Sequence, residues 1–150
     1  MNPTTTWTTT INKSPDEVFA PLSDLTRHAQ WSKTKYRAEK TSDGPVGVGT
    51  TYKSYGWLPF KGKEHLNDVT ITAVEPGKRF AFDAKDPSGP VIPSDFVLTA
   101  DGGGTKVERT MTMPKPDGFQ GVMWPMVFSM LVKPAIQKNL EMMKGKLEQQ

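Results

Sequence analysis

The sequence contains no cysteine and only two histidines, His28 and His65. The absence of cysteine excludes a disulfide framework, a thiol nucleophile and a thiolate metal site. The two histidines do not occur in an HExxH-type spacing that would indicate a zinc site. We therefore expect no metal and no other cofactor.

The chain also lacks a long apolar run and a strong excess of one charge. Its longest apolar run, at 121–132, is shorter than the roughly 20 residues of a membrane-spanning helix. The first residues lack the apolar core of a signal peptide. The net charge of +3 is too small and too evenly spread to indicate nucleic-acid binding. We expect a soluble, cytoplasmic protein without stable membrane insertion.

Two common catalytic or binding motifs are missing as well. No GxSxG segment is present, which is the turn that presents a nucleophilic serine in many hydrolases. The glycines at 102–104 suit the tip of a hairpin, because no helix follows them to form a phosphate-binding loop. The sequence motifs thus indicate neither a nucleophile nor a nucleotide site.

What the chain does contain is turn-forming sequence, with 13 glycines and 13 prolines among 150 residues. This composition favours many short elements in one domain, which we place at residues 1–150. Alternating apolar positions between short turns predict an antiparallel meander in an α+β domain. The predicted strands are 4–12, 34–41, 50–57, 63–74, 79–85, 94–100 and 105–113.

Three helices complete the prediction. Ser14-Pro15-Asp16-Glu17 has the pattern of a capping box and begins a short helix. Asp24 is predicted to cap a second short helix, Leu25–Trp31. The segment 121–150 is predicted to form one long helix that is kinked or broken near Pro134, with the regular helix starting at Trp124-Pro125. We expect its second half to lock the fold and its Met-rich first half to form a movable wall.

This order of elements resembles a known group of proteins. The matching features are 11–19 after the first strand, 24–31 in the second helix, Val48-Gly49-Thr50, 74–80 at a hairpin, and 103–107 before the last strand. Together they resemble the helix-grip proteins of the START/Bet v 1-like superfamily, in particular the polyketide cyclase/dehydrase and lipid-transport (SRPBCC) family. The resemblance implies a curved antiparallel sheet of about seven strands around the long C-terminal helix. It also implies a cavity between them that takes an apolar or amphipathic small molecule.

Strand parity and composition nominate side chains for that cavity. Large aromatic and methionine side chains suit an adaptable apolar pocket, although each also suits ordinary core packing. The candidates are Trp31, Tyr52, Tyr55, Trp57, Phe82, Phe96, Met111, Met113, Met126, Phe128 and Met130, together with the polar His65 and Arg109.

His65 and Arg109 are also the candidates for proton transfer. His65 shares the parity of Val69 and can act as an acid or base if it faces inward. Arg109 shares the parity of Val107 and needs an acidic partner or a ligand carboxylate if it faces inward. The alternatives are that His65 lies at the surface and that Arg109 is paired or reaches out of the sheet. For His28, a solvent-facing helix position is the more common arrangement.

Three functions remain open from the sequence. The first is a carrier or sensor that binds a small hydrophobic or amphipathic molecule. The second is a cyclase, aromatase or dehydratase acting on a polyketide-like substrate, which requires polar groups to converge in the cavity. The third is a protein-interaction module, which an apolar patch at 123–131 with no cavity behind it would favour. Monomer and homodimer are both compatible with the sequence.

Overall fold

The computed structural model describes residues 4–32, 35–58, 62–87 and 89–149, and for 57, 58 and 62–64 it describes the backbone alone. Seven strands and a series of helices follow one another along the chain. They are β1 (Thr4–Ile11), α1 (Pro15–Leu22), the 3₁₀ helix Leu25–Trp31, β2 (Tyr36–Lys40), β3 (Thr51–Leu58), β4 (Gly62–Glu75), β5 (Arg79–Lys85), β6 (Val91–Asp101), β7 (Gly104–Thr112), α2 (Gly118–Val127), the π-helical segment Phe128–Val132 and α3 (Lys133–Glu148).

The strands form one antiparallel sheet in the order β1-β7-β6-β5-β4-β3-β2. The first strand therefore pairs with the last, and all other neighbours are consecutive in the chain. Register shifts occur between Gly56 and Leu58 in β3 and between Ile71 and Ala73 in β4. Such irregularities increase bending and twist, so they help the sheet to curve into a concave surface. The predicted α+β meander is confirmed.

The first two helices begin at the capping residues that the sequence predicted. The Ser14 hydroxyl accepts a hydrogen bond from the Glu17 amide at 3.2 Å, and the Glu17 carboxylate accepts from the Ser14 amide at 3.1 Å. These are the two bonds of a capping box. The Asp24 carboxylate accepts from the Thr26 amide at 3.0 Å and caps the 3₁₀ helix.

The turn between β4 and β5 is also determined by neighbouring residues in the sequence. Gly77 has a φ of +73°, which is the left-handed conformation that position three of a type II turn requires. A Cβ atom at this position would lie 2.7 Å from a carboxylate oxygen of Asp16. The positive φ is therefore what favours glycine here, and a larger residue would also have to displace the Asp16 carboxylate.

Helix α3 packs against the concave face of the sheet. Its buried stripe consists of Ile136, Leu140, Met143 and Leu147, at the spacing of one helix face. The Trp7 indole donates a hydrogen bond to the Lys133 carbonyl at 3.1 Å. Helix α3 is therefore fixed to the sheet both by apolar contacts and by a polar link to β1.

The region before α3 differs from the prediction. The α-helical backbone begins at Gly118, so Pro125 lies inside α2 and does not start it. The π-helical segment ends immediately before Lys133 and Pro134. A π turn has wider hydrogen bonding than an α turn, so it accommodates a proline that would otherwise clash with the Met130 carbonyl. The helical backbone thus continues through Pro134 without the break that was one of the two expected arrangements.

No helix in the described part of the chain combines the length and apolar character needed to cross a membrane.

Candidate functional site

A cavity of about 160 Å³ lies between the concave face of the sheet, the 3₁₀ helix and α3. Strands β2 to β7 and the residue after β7 contribute its walls, and three residues of α3 close it. The lining residues are His28, Trp31, Ser32, Tyr36, Ser54, Asn67, Val69, Phe82, Ala84, Ile92, Ser94, Phe96, Arg109, Met111, Met113, Asn139, Leu140 and Met143.

The apolar part of the lining is aromatic and methionine-rich. The rings of Phe82 and Phe96 are 6.5 Å apart, measured between their centroids. Met111 and Met113 follow on β7 and just after it, and Met143 reaches the cavity from α3. Methionine side chains are flexible and polarisable, so this wall can adapt its shape to an apolar ligand.

Arg109 is the cationic group of the cavity. It lies opposite Phe96 in the register of β6 and β7, and its guanidinium carbon is 4.9 Å from the Phe96 ring centroid. Its Nε is 3.4 Å from the Ser94 hydroxyl. Burial lowers the pKa of Arg109 to about 10, because the charged form loses hydration, whereas the nearby Tyr36 favours the charged form. Arg109 nevertheless remains cationic at neutral pH.

Tyr36 belongs to the edge strand β2 and faces the same cavity. Burial raises the pKa of its hydroxyl to about 12, although the positive charge of Arg109 and a hydrogen bond with the Ser54 side chain act in the opposite direction. The ring also packs on Gly56, where a Cβ atom would lie 3.2 Å from it. The curved sheet thus brings a tyrosine from one side into electrostatic contact with an arginine from the other.

His28 is buried in the cavity wall, which contradicts the expectation of a solvent-facing helix position. Its Nε2 is 2.8 Å from the Leu22 carbonyl oxygen, to which the neutral ring donates. Its ring is 5.4 Å from Trp31 and 6.1 Å from Phe96 between centroids. Burial lowers the pKa of His28 to about 4, and Arg109 adds to this effect, so the imidazole is neutral at pH 7.

Small polar groups complete the site. Ser54 and Ser94 are buried at positions that face inward from β3 and β6. The Asn67 side-chain oxygen is buried and has no hydrogen-bond partner in the described part of the chain. Since buried polar atoms are normally paired, Asn67 offers a hydrogen-bonding position to a molecule in the cavity.

His65 lies on the same face of β4 as Asn67 but is not part of the cavity lining. Its Nε2 is 3.1 Å from a carboxylate oxygen of Asp86, and both side chains are largely buried. The direction of this contact does not meet the geometry of a hydrogen bond. The two side chains are therefore in close contact on the inner face without a hydrogen bond between these atoms.

Six of the predicted cavity residues lie in the lining: Trp31, Phe82, Phe96, Arg109, Met111 and Met113. Tyr52 is almost fully buried in the core and is not a lining residue, and burial raises the pKa of its hydroxyl. The nearby Leu25 backbone acts in the opposite direction and lowers this pKa. The Tyr52 hydroxyl has no hydrogen-bond partner of good geometry in the described part of the chain. The side chain of Trp57 lies outside the described residues.

Tyr55 is on the wrong face for the cavity. It alternates with Ser54, which faces inward, and the Arg37 guanidinium lies 3.8 Å above its ring centroid. Neighbouring strand residues point to opposite faces, so Tyr55 belongs with the outer surface.

The prediction that Met126, Phe128 and Met130 line the cavity is also wrong. Met126 and Met130 are 50% and 68% exposed, and Phe128 packs against Trp7 and Trp124 at 6.3 and 5.9 Å between ring centroids. The helical wall of the cavity comes from α3 instead, through Asn139, Leu140 and Met143. Helix α3 therefore has both roles: it packs on the sheet and it lines the cavity. The first half of the long helix was expected to form the cavity wall, but its residues Met126, Phe128 and Met130 do not line the cavity.

Tyr36 and His28 were not predicted to face inward, and Asn67 was not included among the predicted cavity residues. The parity of β4 placed Asn67 beside Val69, which was a usable signal. Tyr36 and His28 lie in an edge strand and a 3₁₀ helix that fold over the cavity. No periodicity within such short elements indicates which side chain points inward.

No cluster of three or more potential metal ligands occurs among the side chains that the structure describes. What the site can do is enclose an apolar body while offering it hydrogen bonds and one positive charge.

An antiparallel sheet that curves around a long C-terminal helix, with two short helices after the first strand, is the helix-grip fold of the START/Bet v 1-like proteins. The sequence profile described as polyketide cyclase/dehydrase and lipid transport matches residues 3–148. Because this match spans nearly the whole chain, the protein belongs to that family.

Solved structures resemble the fold over nearly their whole length. Protein TTHA0849 from Thermus thermophilus has a TM-score of 0.76 at 18% identity, with 97% of each chain covered. Protein CV1439 from Chromobacterium violaceum has a TM-score of 0.67 at 15% identity, with 99% of each chain covered. Ara h 8.0201 has a TM-score of 0.69 at 16% identity, with 100% of each chain covered. No curated protein matches the sequence.

Proposed function

We propose that the protein binds a small amphipathic molecule with a mainly apolar body in this cavity, as a carrier or sensor. The observation that carries the proposal is the partly open cavity between the concave sheet and α3, which has aromatic and methionine walls and a separate set of polar groups. Pockets for small molecules combine apolar walls with a few placed polar groups in this way.

The size of the cavity limits the ligand. Its volume is about 160 Å³, and an apolar protein cavity of about 150 Å³ takes a benzene-sized molecule. Pockets for larger ligands typically measure about 300–1,000 Å³. The cavity therefore suits a molecule with one ring or a short chain, and a larger ligand would extend out of it or displace the methionine wall.

The titratable groups in the cavity favour binding over proton-transfer catalysis. His28 has a pKa of about 4, Tyr36 of about 12 and Arg109 of about 10. General acids and bases work best with a pKa near the operating pH. None of these three groups meets that condition at neutral pH.

One observation favours a second candidate function, a cyclase, aromatase or dehydratase. Tyr36 and Arg109 converge on the same cavity and interact electrostatically. Two such donors can stabilise negative charge that develops on a substrate carbonyl oxygen. Incubation with a short poly-β-ketone thioester tests this candidate: acceleration over the spontaneous reaction that disappears in Tyr36→Phe would favour an enzyme over a carrier.

A protein-interaction module remains the third alternative. Helix α2 and the π-helical segment expose Phe119, Val122, Met126, Met130 and Leu131. However, a cavity is present on the concave side of the sheet. This combination supports a ligand-binding role ahead of a partner surface.

The binding proposal is tested by titrating 3-phenylpropanol into nitrogen-15-labelled protein and following amide chemical shifts. We expect saturable shifts at Ala84, Phe96 and Met143, which line the cavity. Ala84→Leu fills part of the space and should abolish them. Ala100→Leu makes the same change at an exposed position of β6 and is the control. Unchanged binding in Ala84→Leu, or no saturable shift in the unmodified protein, would contradict the proposal.

A further inference from the structure

We infer that the ligand carries an anionic oxygen group, such as a carboxylate or an enolate, on a body about the size of one aromatic ring, and that Arg109 binds this group. The inference rests on the proposed binding function and specifies the chemical class of the ligand. It comes from the position of the Arg109 charge in a cavity whose other lining residues, among those that the structure describes, are uncharged at pH 7.

The contacts of Arg109 leave its charge without compensation. In the described part of the chain no carboxylate lies within 4.0 Å of its guanidinium nitrogens. Its contacts are the Ser94 hydroxyl and the face of Phe96, with Tyr36 nearby. A buried charge without an opposite charge is unfavourable, and a guanidinium presents a planar donor set that matches a carboxylate. A ligand anion would supply the missing partner.

Other charges near the cavity do not replace such a partner. His28 is neutral at pH 7, and Asp24 acts on His28 and Tyr52 without a resolved effect on Arg109. Asp86 contacts His65, which is not a lining residue. The positive charge of Arg109 therefore sets the sign of the field inside the cavity.

A second, independent observation indicates a polar ligand. The buried oxygen of Asn67 lines the same cavity and lacks a hydrogen-bond partner among the described residues. Wholly apolar ligands would leave both Asn67 and Arg109 unsatisfied, at a cost in binding free energy. An amphipathic acid satisfies Arg109 while its apolar body contacts Phe82, Phe96 and the methionines.

The alternative is that Arg109 is structural and only supports Phe96 through a cation–π contact. The two roles predict different ligand selectivity. A structural arginine affects acids and alcohols of the same shape alike, whereas a binding arginine discriminates between them.

The experiment compares 3-phenylpropionate with 3-phenylpropanol by calorimetric or NMR titration at pH 7. These probes share the ring and the chain and differ at the terminal group. We expect the acid to bind about tenfold to a hundredfold more tightly than the alcohol, the range for a hydrogen bond to a charged group. This comparison uses the unmodified protein, so it does not depend on the folding of a variant.

Two variants then test whether Arg109 is the residue that makes the acid bind more tightly than the alcohol. Arg109→Met keeps an apolar stem and should bring the two affinities within about twofold of each other, because only the charged group discriminates. Lys106→Met removes the same charge from the same strand at a partly exposed position paired with Glu108, so it should keep the preference for the acid.

The outcomes separate this inference from the function on which it rests. Binding of the alcohol with no tighter binding of the acid would overturn the anionic ligand and leave the binding function intact. Binding of neither probe would overturn the binding function and the inference with it. A preference for the acid that persists in Arg109→Met would overturn the assignment to Arg109.

Discussion

The buried, neutral His28 makes the stability of this protein depend on pH. Its imidazole donates to the Leu22 carbonyl and lies against Trp31 and Phe96, so a charged ring would lose most of its hydration there. The pKa of His28 falls from 6.5 to about 4 on folding, mainly because of burial. Protonation of this one side chain is therefore linked to unfolding.

The sign and size of the effect follow from this shift. Between pH 6.5 and 4 the unfolded chain binds a proton that the native protein does not bind, so stability is fully present above pH 6.5 and is lost as the pH falls toward 4. At about 1.4 kcal/mol per unit of pKa difference, the loss between pH 7 and pH 4 is about 3 kcal/mol. That is a large fraction of the typical 5–15 kcal/mol stability of a domain.

The assay is urea unfolding, followed by tryptophan fluorescence at pH 7, 6, 5 and 4, for the unmodified protein and for His28→Gln. The glutamine amide can still donate to Leu22 but does not titrate. The carboxylates of Glu17 and Glu148, whose pKa values are lowered by hydrogen bonds, titrate in both proteins and cancel in the comparison. An equal loss of stability in the two proteins would refute the argument that His28 is buried in its neutral form.

Three further predictions concern the helices and turns. Replacing both Met126 and Met130 by Gln should change the affinity for 3-phenylpropanol by no more than about twofold, because both side chains are exposed. A larger loss of affinity in the same titration would show that these side chains do line the cavity. Amide hydrogen exchange should be faster in α2 than in α3, because α2 buries Gly121 and Trp124 whereas α3 buries four apolar side chains. Equal protection of the two helices would contradict the prediction that α2 is held less firmly. Gly77→Ala should destabilise the protein by about 1–2 kcal/mol because of its positive φ and the contact with Asp16. The same change at Gly145, inside α3 with open space around it, should stabilise by about 0.5–1 kcal/mol, and urea unfolding measures both.

The parts of the fold that local chemistry determines were predictable from the sequence. The capping box at Ser14 and the cap at Asp24 depend on contacts within three residues. Strand parity likewise grouped Phe82, Phe96 and Arg109 each with the apolar residues of its own strand, because side chains alternate along a strand whatever the sheet does elsewhere. All three line the cavity.

The helical wall of the cavity could not be predicted in this way. The buried side of the helical region continues across Pro134, from Trp124 and Val132 to Ile136 and Leu140, at intervals of eight and four residues. Met126 and Met130 were assigned to the cavity because they are flexible apolar side chains before the expected kink, but they lie off this buried stripe and are exposed. Tyr36 and His28 were missed because their orientation depends on how distant elements close over the sheet.

The most direct test of the central claim is a nuclear Overhauser measurement on protein labelled with carbon-13 at its methionine methyl groups and saturated with 3-phenylpropionate. The account predicts contacts from the ligand ring protons to the methyl groups of Met111, Met113 and Met143, which line the cavity. Contacts to Met126 and Met130 alone, which are exposed on the outside of the helix, would contradict it.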